Sequence, residues 1–229
     1  MPSLLRRSIA EALGTFALVF IGVGAVVEQS APGAEYGLLG IALAHAVVLA
    51  VMITATMAVS GGHLNPAVTV GLLVARRTNA RTAGAYIVAQ LVGAVLGALA
   101  VKALLPPTQV RAALLGTPTV SGSIQFGQAV GIEAILTFFL VSAVFGTCVN
   151  SEAPKVGGFA VGLVLLFDIL VGGSLTGAAM NPARAFGPAL VAGQWVAHGV
   201  YWIGPLLGGV VAALLWEHAI LPPRQRKES

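Results

Sequence analysis

The chain has 229 residues, of which 57% are hydrophobic and only 9% are charged, and its formal net charge is +4. An ordinary soluble domain carries roughly 25% charged residues, so this chain has too few charges to cover a water-exposed surface. The composition excludes a cytosolic enzyme, a disordered regulator and a nucleic-acid-binding protein, and it favours a membrane protein whose partner is lipid.

Six apolar runs are long enough to cross a bilayer as helices, since a hydrocarbon core of about 30 Å needs roughly 20 residues. These runs cover residues 8–27, 38–59, 83–104, 128–149, 156–175 and 196–220. The first is longer than a signal-peptide core and no convincing cleavage site follows it, so we interpret it as a retained span. The sequence therefore predicts an all-α membrane protein with six transmembrane helices.

Basic residues are concentrated in the connections on one side of these spans. They are Arg6, Arg7, Arg76, Arg77, Arg81, Lys155, Arg224, Arg226 and Lys227. The opposite side has only Lys102 and Arg111. The positive-inside rule places the basic side, and with it both termini, in the cytoplasm. We expect the plasma (inner) membrane rather than an organelle.

Two further apolar segments, residues 63–74 and 180–191, are too short to span, and each contains Asn-Pro-Ala near its start. About ten helical residues reach about 15 Å, which is half of the membrane. Asn65 and Asn181 suit helix N-caps, and a proline suits the first helical position that follows. Each segment is predicted to be a loop that enters the membrane and a half-helix that leaves it. Such backbone is stable at membrane depth only where it is buried or lines a watery cavity, so a pore is indicated.

The two halves of the chain, about residues 1–105 and 126–221, align with each other. Glu-Ala-Leu-Gly-Thr-Phe starting at Glu11 corresponds to Glu-Ala-Ile-Leu-Thr-Phe starting at Glu133, and the Asn-Pro-Ala triplets follow in both halves. Because each half has three spans, the second half must insert upside down. We expect one membrane domain, residues 1–229, built as an inverted repeat whose half-helices meet at the midplane.

Pairs of glycines at four-residue spacing occur along the spans, and small residues let membrane helices approach closely. The pairs are Gly93/Gly97, Gly127/Gly131, Gly158/Gly162 and Gly204/Gly208. Together they predict a tightly packed bundle. The single cysteine, Cys148, excludes an internal disulfide and a cysteine cluster, so we expect no metal and no cofactor.

Two Asn-Pro-Ala motifs at equivalent places of an inverted repeat are highly specific, and with them the chain resembles the aquaporin (major intrinsic protein) family over nearly its whole length. Residues 42–46 (Ala-Leu-Ala-His-Ala) and 181–190 (Asn-Pro-Ala-Arg-Ala-Phe-Gly-Pro-Ala-Leu) look most like the tonoplast intrinsic protein subgroup. The resemblance implies six spans and two re-entrant half-helices, assembled as a homotetramer with one pore per subunit. It also implies a passive water channel and not an enzyme.

Physical reasoning gives the paired motifs a role of their own. Two helix N-termini at the midplane place partial positive charge where a passing proton or cation is least hydrated. The two asparagine amides can donate to a water oxygen and so interrupt the chain of donors along which a proton would hop. We predict that loop carbonyls form one wall of the pore and that the other wall is apolar. The motif residues are Asn65, Pro66, Ala67, Asn181, Pro182 and Ala183, and the carbonyls are those of Gly61, Gly62, His63, Leu64, Gly177, Ala178, Ala179 and Met180.

An ionisable side chain at membrane depth usually marks a solute path, and Arg184 is one. By resemblance to the family, Arg184 belongs to a narrow outer filter. The resemblance places His45 there, twenty residues before the first motif, with Ile169 and Ala178, twelve and three residues before the second. We expect His45 and Arg184 to face each other across this constriction. Lacking the bulky aromatic of strict water channels, the filter is expected to be slightly wider.

Glu11 and Glu133 are acids within the first span of each half. We interpret them as structural, each accepting hydrogen bonds from backbone N–H groups of a re-entrant loop, because their symmetry matches that of the loops. The alternative is the proton relay of a coupled transporter. Asp168, beside Ile169, has no role that the sequence assigns.

Other functions remain open. Within the family they are a glycerol facilitator or a wider channel for ammonia, urea or hydrogen peroxide; outside it they are a coupled transporter or an adhesive membrane protein. Glycerol facilitators of the family carry Asp directly after the second motif's arginine and Lys four residues later, whereas this chain has Ala185 and Ala189. The outer loop, residues 106–125, lacks the histidine that ammonia-conducting tonoplast members tend to supply. Water with some small neutral solutes is the favoured cargo.

Overall fold

The computed structural model describes residues 2–154 and 156–222, and these residues form helices and connecting turns without a strand. The helices are α1 (Leu4–Glu28), α2 (Gly37–Ser60), α3 (Pro66–Val74), α4 (Ala80–Leu104), α5 (Pro107–Ala112), α6 (Phe126–Val144), α7 (Phe159–Thr176), α8 (Pro182–Ala192) and α9 (Val200–Leu215). Single π-helical turns, Phe145–Val149 and Trp216–Ile220, extend α6 and α9. With these turns included, α1, α2, α4, α6, α7 and α9 are long and apolar enough to cross a membrane. The predicted fold class is confirmed.

The half-helices α3 and α8 begin at the two Asn-Pro-Ala motifs. Asn65 is the N-cap of α3, and its side-chain oxygen accepts from the N–H of Ala67. Asn181 caps α8 in the same way, accepting from the N–H groups of Ala183 and Arg184. Each proline stands in the first turn, where its missing N–H costs no helical hydrogen bond. Capping therefore explains why both helices start at the motif.

Two spans begin later than the apolar runs suggest: α7 starts at Phe159 and not at residue 156, and α9 starts at Val200 and not at residue 196. The residues before them form turns in which Gly157 (φ +59°) and Ala197 (φ +53°) are left-handed. A right-handed helix cannot continue through that backbone. Because the turn residues are themselves partly apolar, hydropathy does not mark these boundaries.

Glycines carry the helix crossings, and they do so equivalently in the two halves. α1 packs on α4, α6 packs on α9, and α2 packs on α7. A Cβ atom at Gly93 would overlap the carbonyl of Ala12, and one at Gly208 would overlap the carbonyl of Ala134. Gly127 and Gly131 are different, because a Cβ there would meet nothing within 4 Å. Three of the four glycine pairs therefore lie at close contacts, and the expectation for the fourth is wrong.

The surface of the bundle is apolar, while buried polar groups lie inside it. Val47 and Val171 are more than half exposed, whereas Glu11, Gln90 and Glu133 are fully buried. This is the reverse of a soluble protein and fits a chain with lipid outside and polar chemistry within.

The basic connections lie at one end of the bundle. Arg7 at the start of α1 donates to the hydroxyl of Tyr86 in α4 (2.7 Å), and Arg77 before α4 pairs with Glu217 after α9 (2.8 Å). These contacts place the beginning of α1, the α3–α4 connection and the end of α9 on the same side. Four other basic residues used in the orientation prediction lie outside the described residues: Lys155, Arg224, Arg226 and Lys227.

Candidate functional site

Two buried glutamates hold the re-entrant loops that precede α3 and α8. Glu11 accepts from the backbone N–H groups of His63 (3.0 Å) and Leu64 (2.6 Å). Glu133 accepts from those of Ala179 (2.9 Å) and Met180 (2.7 Å). These N–H groups have no partner within a helix. At membrane depth an unpaired donor costs on the order of several kcal/mol, because no water is present to accept its hydrogen bond. The carboxylates thus supply the partners that the loops require.

Hydroxyl groups complete both carboxylate clusters, and the sequence analysis did not find them. Ser60 donates to Glu11 (2.6 Å) and Thr176 donates to Glu133 (2.7 Å). Each hydroxyl also accepts from the backbone N–H two residues ahead, at 3.1 Å in both loops. Both residues stand five positions before the asparagine of their motif. That equal spacing within the repeat is the signal that could have identified them.

Tyrosines from the third span of each half fasten the same loops. The hydroxyl of Tyr86 donates to the carbonyl of Ser60 (2.7 Å), and that of Tyr201 donates to the carbonyl of Thr176 (2.8 Å). The symmetry stops one turn later, where Gln90 donates to Glu11 (2.8 Å) but Pro205 occupies the equivalent place and has no donor. Glu11 therefore has one donor more than Glu133 among the described residues.

The two half-helix N-termini are joined through their asparagines. The Nδ2 amide of Asn65 donates to the carbonyl of Met180 (2.8 Å), and that of Asn181 donates to the carbonyl of Leu64 (2.9 Å). Leu64 and Met180 both have φ of +50°, a left-handed conformation that costs a non-glycine residue roughly 1–2 kcal/mol. Each amide carries two hydrogens, so one donor of each asparagine is left for a molecule in the cavity.

A cavity beside this junction is lined by both polar and aliphatic residues. The polar groups come from His63, Asn65 and Asn181, and Ala179 also lines the cavity. The aliphatic side chains are those of Leu18, Leu49, Ile53, Val68, Leu140, Val144, Val161 and Leu165. Of the predicted carbonyl residues, His63, Ala178 and Ala179 line this cavity and Gly177 lines the cavity outside it. Gly61, Gly62, Leu64 and Met180 line neither, and the carbonyls of the last two are bonded to the asparagines.

His63 is fastened to the half-helix α3 through Thr69. Its Nδ1 lies 3.1 Å from the hydroxyl of Thr69, which is also 3.0 Å from the carbonyl of Asn65. The amide of Gln90 donates to the same hydroxyl (3.0 Å). The ring of His63, held in this way, lines the inner cavity.

A second cavity lies at the outer end, and its boundary with the first is formed by His45 and Arg184, which line both. Nε2 of His45 and Nη2 of Arg184 are 3.2 Å apart. Nδ1 of His45 is 2.9 Å from the carbonyl of Ile41, which can only accept, so Nδ1 carries the hydrogen and Nε2 accepts from the guanidinium. No molecule passes between atoms this close. The expectation that these residues face each other across the passage is therefore wrong: they lie side by side.

The guanidinium of Arg184 needs acceptors at this depth, and this need explains its position. Besides His45, it donates to the carbonyl of Gly116 (3.3 Å). Gly116 ends a short turn, Leu114–Gly116, in the connection between the two halves. Sequence reasoning missed Gly116 because a backbone carbonyl carries no residue-type signal and this connection has no counterpart in the repeat.

The other two predicted filter residues lie near the same boundary. Ile169 lines the outer cavity and Ala178 lines the inner one, each together with His45 and Arg184. Asp168, next to Ile169, is 1% exposed, and its Oδ2 atom has no hydrogen-bond partner in the described part of the chain. The four predicted filter residues thus lie around the boundary between the two cavities, where the structure assigns no role to Asp168.

Comparisons with known proteins agree on one family. The sequence profile of the family described as major intrinsic protein matches residues 1–216. "Probable aquaporin TIP3-2" from Arabidopsis thaliana is 40% identical, covering 96% of this chain and 86% of its own. "Aquaporin TIP4-4" from Zea mays is 43% identical, and the match covers 93% of this chain and 85% of the relative. "Aquaporin-4" from Mus musculus is 37% identical, and the match covers 95% of this chain and 68% of the relative.

A solved structure agrees as well. The X-ray structure of the aquaglyceroporin from Plasmodium falciparum superimposes on the chain with a TM-score of 0.86. The two proteins share 26% sequence identity, and the match covers 95% of this chain and 97% of the other. The likeness therefore includes the half-helices as well as the spans.

Proposed function

The chain belongs to the major intrinsic protein family, whose members are channels and not enzymes, and we propose that it is a passive water channel that excludes protons and ions. The observation that carries this proposal is the reciprocal bonding of Asn65 to Met180 and of Asn181 to Leu64. It joins two helix N-termini beside a cavity that is otherwise lined mainly by aliphatic side chains. The aquaporin names of the similar proteins support the choice of water.

Proton exclusion follows from the charges and donors at this junction. Each helix N-terminus is equivalent to roughly half an elementary positive charge, so two of them oppose a cation at the place where it is least hydrated. The free hydrogens of Asn65 and Asn181 bind a water through its oxygen, so both hydrogens of that water point along the pore. The aliphatic side chains of the cavity offer no alternative partner. A proton then has no continuous chain of acceptors to follow.

His45, Ile169, Ala178 and Arg184 form the proposed filter. Because His45 and Arg184 are bonded to each other, solute passes beside them along the aliphatic side chains of Ile169 and Ala178. Arg184 supplies fixed positive charge against cations. The aliphatic side permits small neutral solutes, such as ammonia, to accompany water. Glycerol is the alternative cargo. The likeness to an aquaglyceroporin structure supports it, so glycerol is included among the test solutes.

Assembly and placement complete the proposal. Residues 1–105 and 126–221 act as inverted repeats of one channel domain, and four copies form a homotetramer with a pore in each. Arg6, Arg7, Arg76, Arg77 and Arg81 put the basic end, and both termini, in the cytoplasm. The protein is an integral multi-pass membrane protein, and we place it in the plasma (inner) membrane. Light scattering in detergent tests the tetramer, and accessibility of terminal tags in spheroplasts tests the membrane and the orientation.

Paired stopped-flow measurements on proteoliposomes test the function. The wild type should raise water permeability with a low activation energy and should pass glycerol and urea far more slowly than water. Arg184→Val removes bulk and charge from the filter, so urea should pass faster while water flux changes less. Arg111→Val is the control, because Arg111 is an exposed arginine of the outer surface. A glycerol flux that matches the water flux, or unchanged urea exclusion in well-folded Arg184→Val, would contradict the proposal.

A further inference from the structure

The imidazole of His45 occupies space that a side chain at position 22 would need. Gly22 is a buried residue of α1. A Cβ atom built on it would lie 2.5 Å from Cδ2 and 2.9 Å from Cε1 of His45, and it would overlap Nε2. Carbon atoms in good contact are about 3.5–4.0 Å apart. The ring therefore fits where it does only because residue 22 is glycine.

The ring is also held in that position from two sides. Nδ1 donates to the carbonyl of Ile41 on its own helix, and Nε2 accepts from Arg184. Any rotation of the ring would break at least one of these bonds. The ring is almost fully enclosed, since His45 is 3% exposed.

The second acceptor of Arg184 rests on the same turn of α1. Gly116, whose carbonyl accepts from the guanidinium, lies against Val23: a Cβ on Gly116 would be 3.0 Å from Cγ1 and 3.2 Å from the carbonyl oxygen of Val23. The two acceptors of the guanidinium, His45 and Gly116, thus pack against two consecutive residues of α1, Gly22 and Val23.

We propose that Gly22 is a positioning residue of the filter, which sets the width of the passage through His45 and does not itself contact solute. Its missing side chain forms a notch that receives the imidazole of His45 and brings Arg184 to the α1 side. The passage beside Ile169 and Ala178 is thereby kept wide enough for water and for neutral molecules of similar size, such as ammonia. The proposal rests on the proposed function, because it concerns the width of the same filter.

The variant Gly22→Ala tests this directly. The ring must move by about 1 Å to reach contact distance from the new methyl group, which brings it into the passage or breaks its bond to Arg184. We expect water and ammonia permeability per folded channel to fall about fivefold, which corresponds to about 1 kcal/mol of added barrier. Gly24→Ala is the matched control: Gly24 is buried in the same helix, yet a Cβ there would meet nothing within 4 Å. It should conduct like the wild type.

A second background separates this mechanism from general damage to α1. In His45→Ala the ring is absent, so adding Gly22→Ala should cause no further loss of permeability. The four proteins form a double-mutant cycle, in which a coupling between positions 22 and 45 appears as non-additivity. The amount of folded oligomer and its thermal midpoint are measured for each variant, so that flux is compared per channel.

Each outcome decides the proposal. It is overturned if Gly22→Ala conducts like Gly24→Ala, or if Gly22→Ala lowers the flux equally in the wild-type and His45→Ala backgrounds. If Gly22→Ala alone does not fold, recovery of folded protein in the double variant supports the contact, and failure of both variants overturns it. A wild type that does not conduct water would instead overturn the proposed function.

Discussion

Glu133 shows how single residues carry the loop geometry. It is fully buried and receives three hydrogen bonds, from Thr176, Ala179 and Met180. All three partners donate, so the site requires a group that only accepts. Glu11 satisfies the first loop in the same manner and has the additional support of Gln90.

Glu133→Gln replaces one accepting oxygen by a donating NH₂ group. At least one loop donor then loses its partner, and we expect a loss of about 1.5–3 kcal/mol in the free energy of unfolding, the usual range for a hydrogen bond to a charged group. Thermal unfolding in detergent measures it. The control Glu28→Gln changes an exposed glutamate of α1 and should leave the midpoint unchanged. Equal midpoints for both variants would show that Glu133 does not hold the loop.

His198 lies at the opposite end from the basic connections, in the turn before α9. Its Nε2 accepts from the indole N–H of Trp202 (3.1 Å), and the ring stacks edge-on against Trp195 (centroids 4.8 Å apart). Burial lowers the pKa of His198 below its ordinary value of 6.5. The neutral ring is therefore the form that the folded state favours.

This pKa shift predicts how stability depends on pH. Because the folded pKa is lowered, the unfolded chain binds more protons, so the contribution is complete above pH 6.5 and is lost as the pH falls through the lowered pKa. The thermal midpoint should fall more between about pH 7.5 and about pH 5 in the wild type than in His198→Phe, which cannot titrate. Parallel pH profiles for the two proteins would contradict this account.

The residues of the joined half-helices could be predicted from the sequence, because the repeat contains each of them twice. Asn65 with Asn181 and Glu11 with Glu133 stand in equivalent places. The same polar residue at equivalent places of both halves is improbable by chance. Gly116 and Gly22 could not be found in this way. One acts through a backbone carbonyl and the other through an absent side chain, and neither leaves a chemical signal in the sequence.

At the scale of elements, the crossing of α6 and α9 depends on close backbone approach. A methyl group on Gly208 would overlap the carbonyl of Ala134, so Gly208→Ala must push the helices apart. Overpacking of this kind typically costs about 1–3 kcal/mol, and we expect the thermal midpoint in detergent to fall accordingly.

Gly131→Ala in α6 is the control for this prediction. A Cβ there has free space, and alanine is the better helix former by up to about 1 kcal/mol. It should leave the protein as stable as the wild type or more so. If the two alanine variants behave alike, the close crossing does not contribute to stability.

The pair Gly127/Gly131 also shows why glycine spacing predicted the crossings only in part. Spacing identifies a small-residue face of a helix, but it does not say whether another helix lies on that face. Gly93/Gly97 meets α1 and Gly158/Gly162 meets α2, whereas Gly127 and Gly131 meet nothing. Partner choice is a property of the bundle and not of one helix.

At the scale of the whole molecule, the inverted repeat could be predicted from the number of spans. Each half has three spans and one half-helix, and an odd number of spans requires the second half to insert in the opposite orientation. The departures from symmetry were not readable. Gln90 supports only the first loop. The turn Leu114–Gly116, which lies in a connection that occurs only once, provides the carbonyl that accepts from Arg184. Symmetry explains the midplane junction, and the filter depends on what breaks it.

The joined half-helices should pass water and exclude protons, and both properties can be measured in a single preparation. Water permeability and proton flux are recorded on the same proteoliposomes, with an osmotic step for water and a pH step with an entrapped dye for protons. We expect a water permeability that rises with the amount of protein and has a low activation energy, while proton flux stays at the level of protein-free liposomes. A steady proton conductance that rises in proportion to the water flux would contradict it.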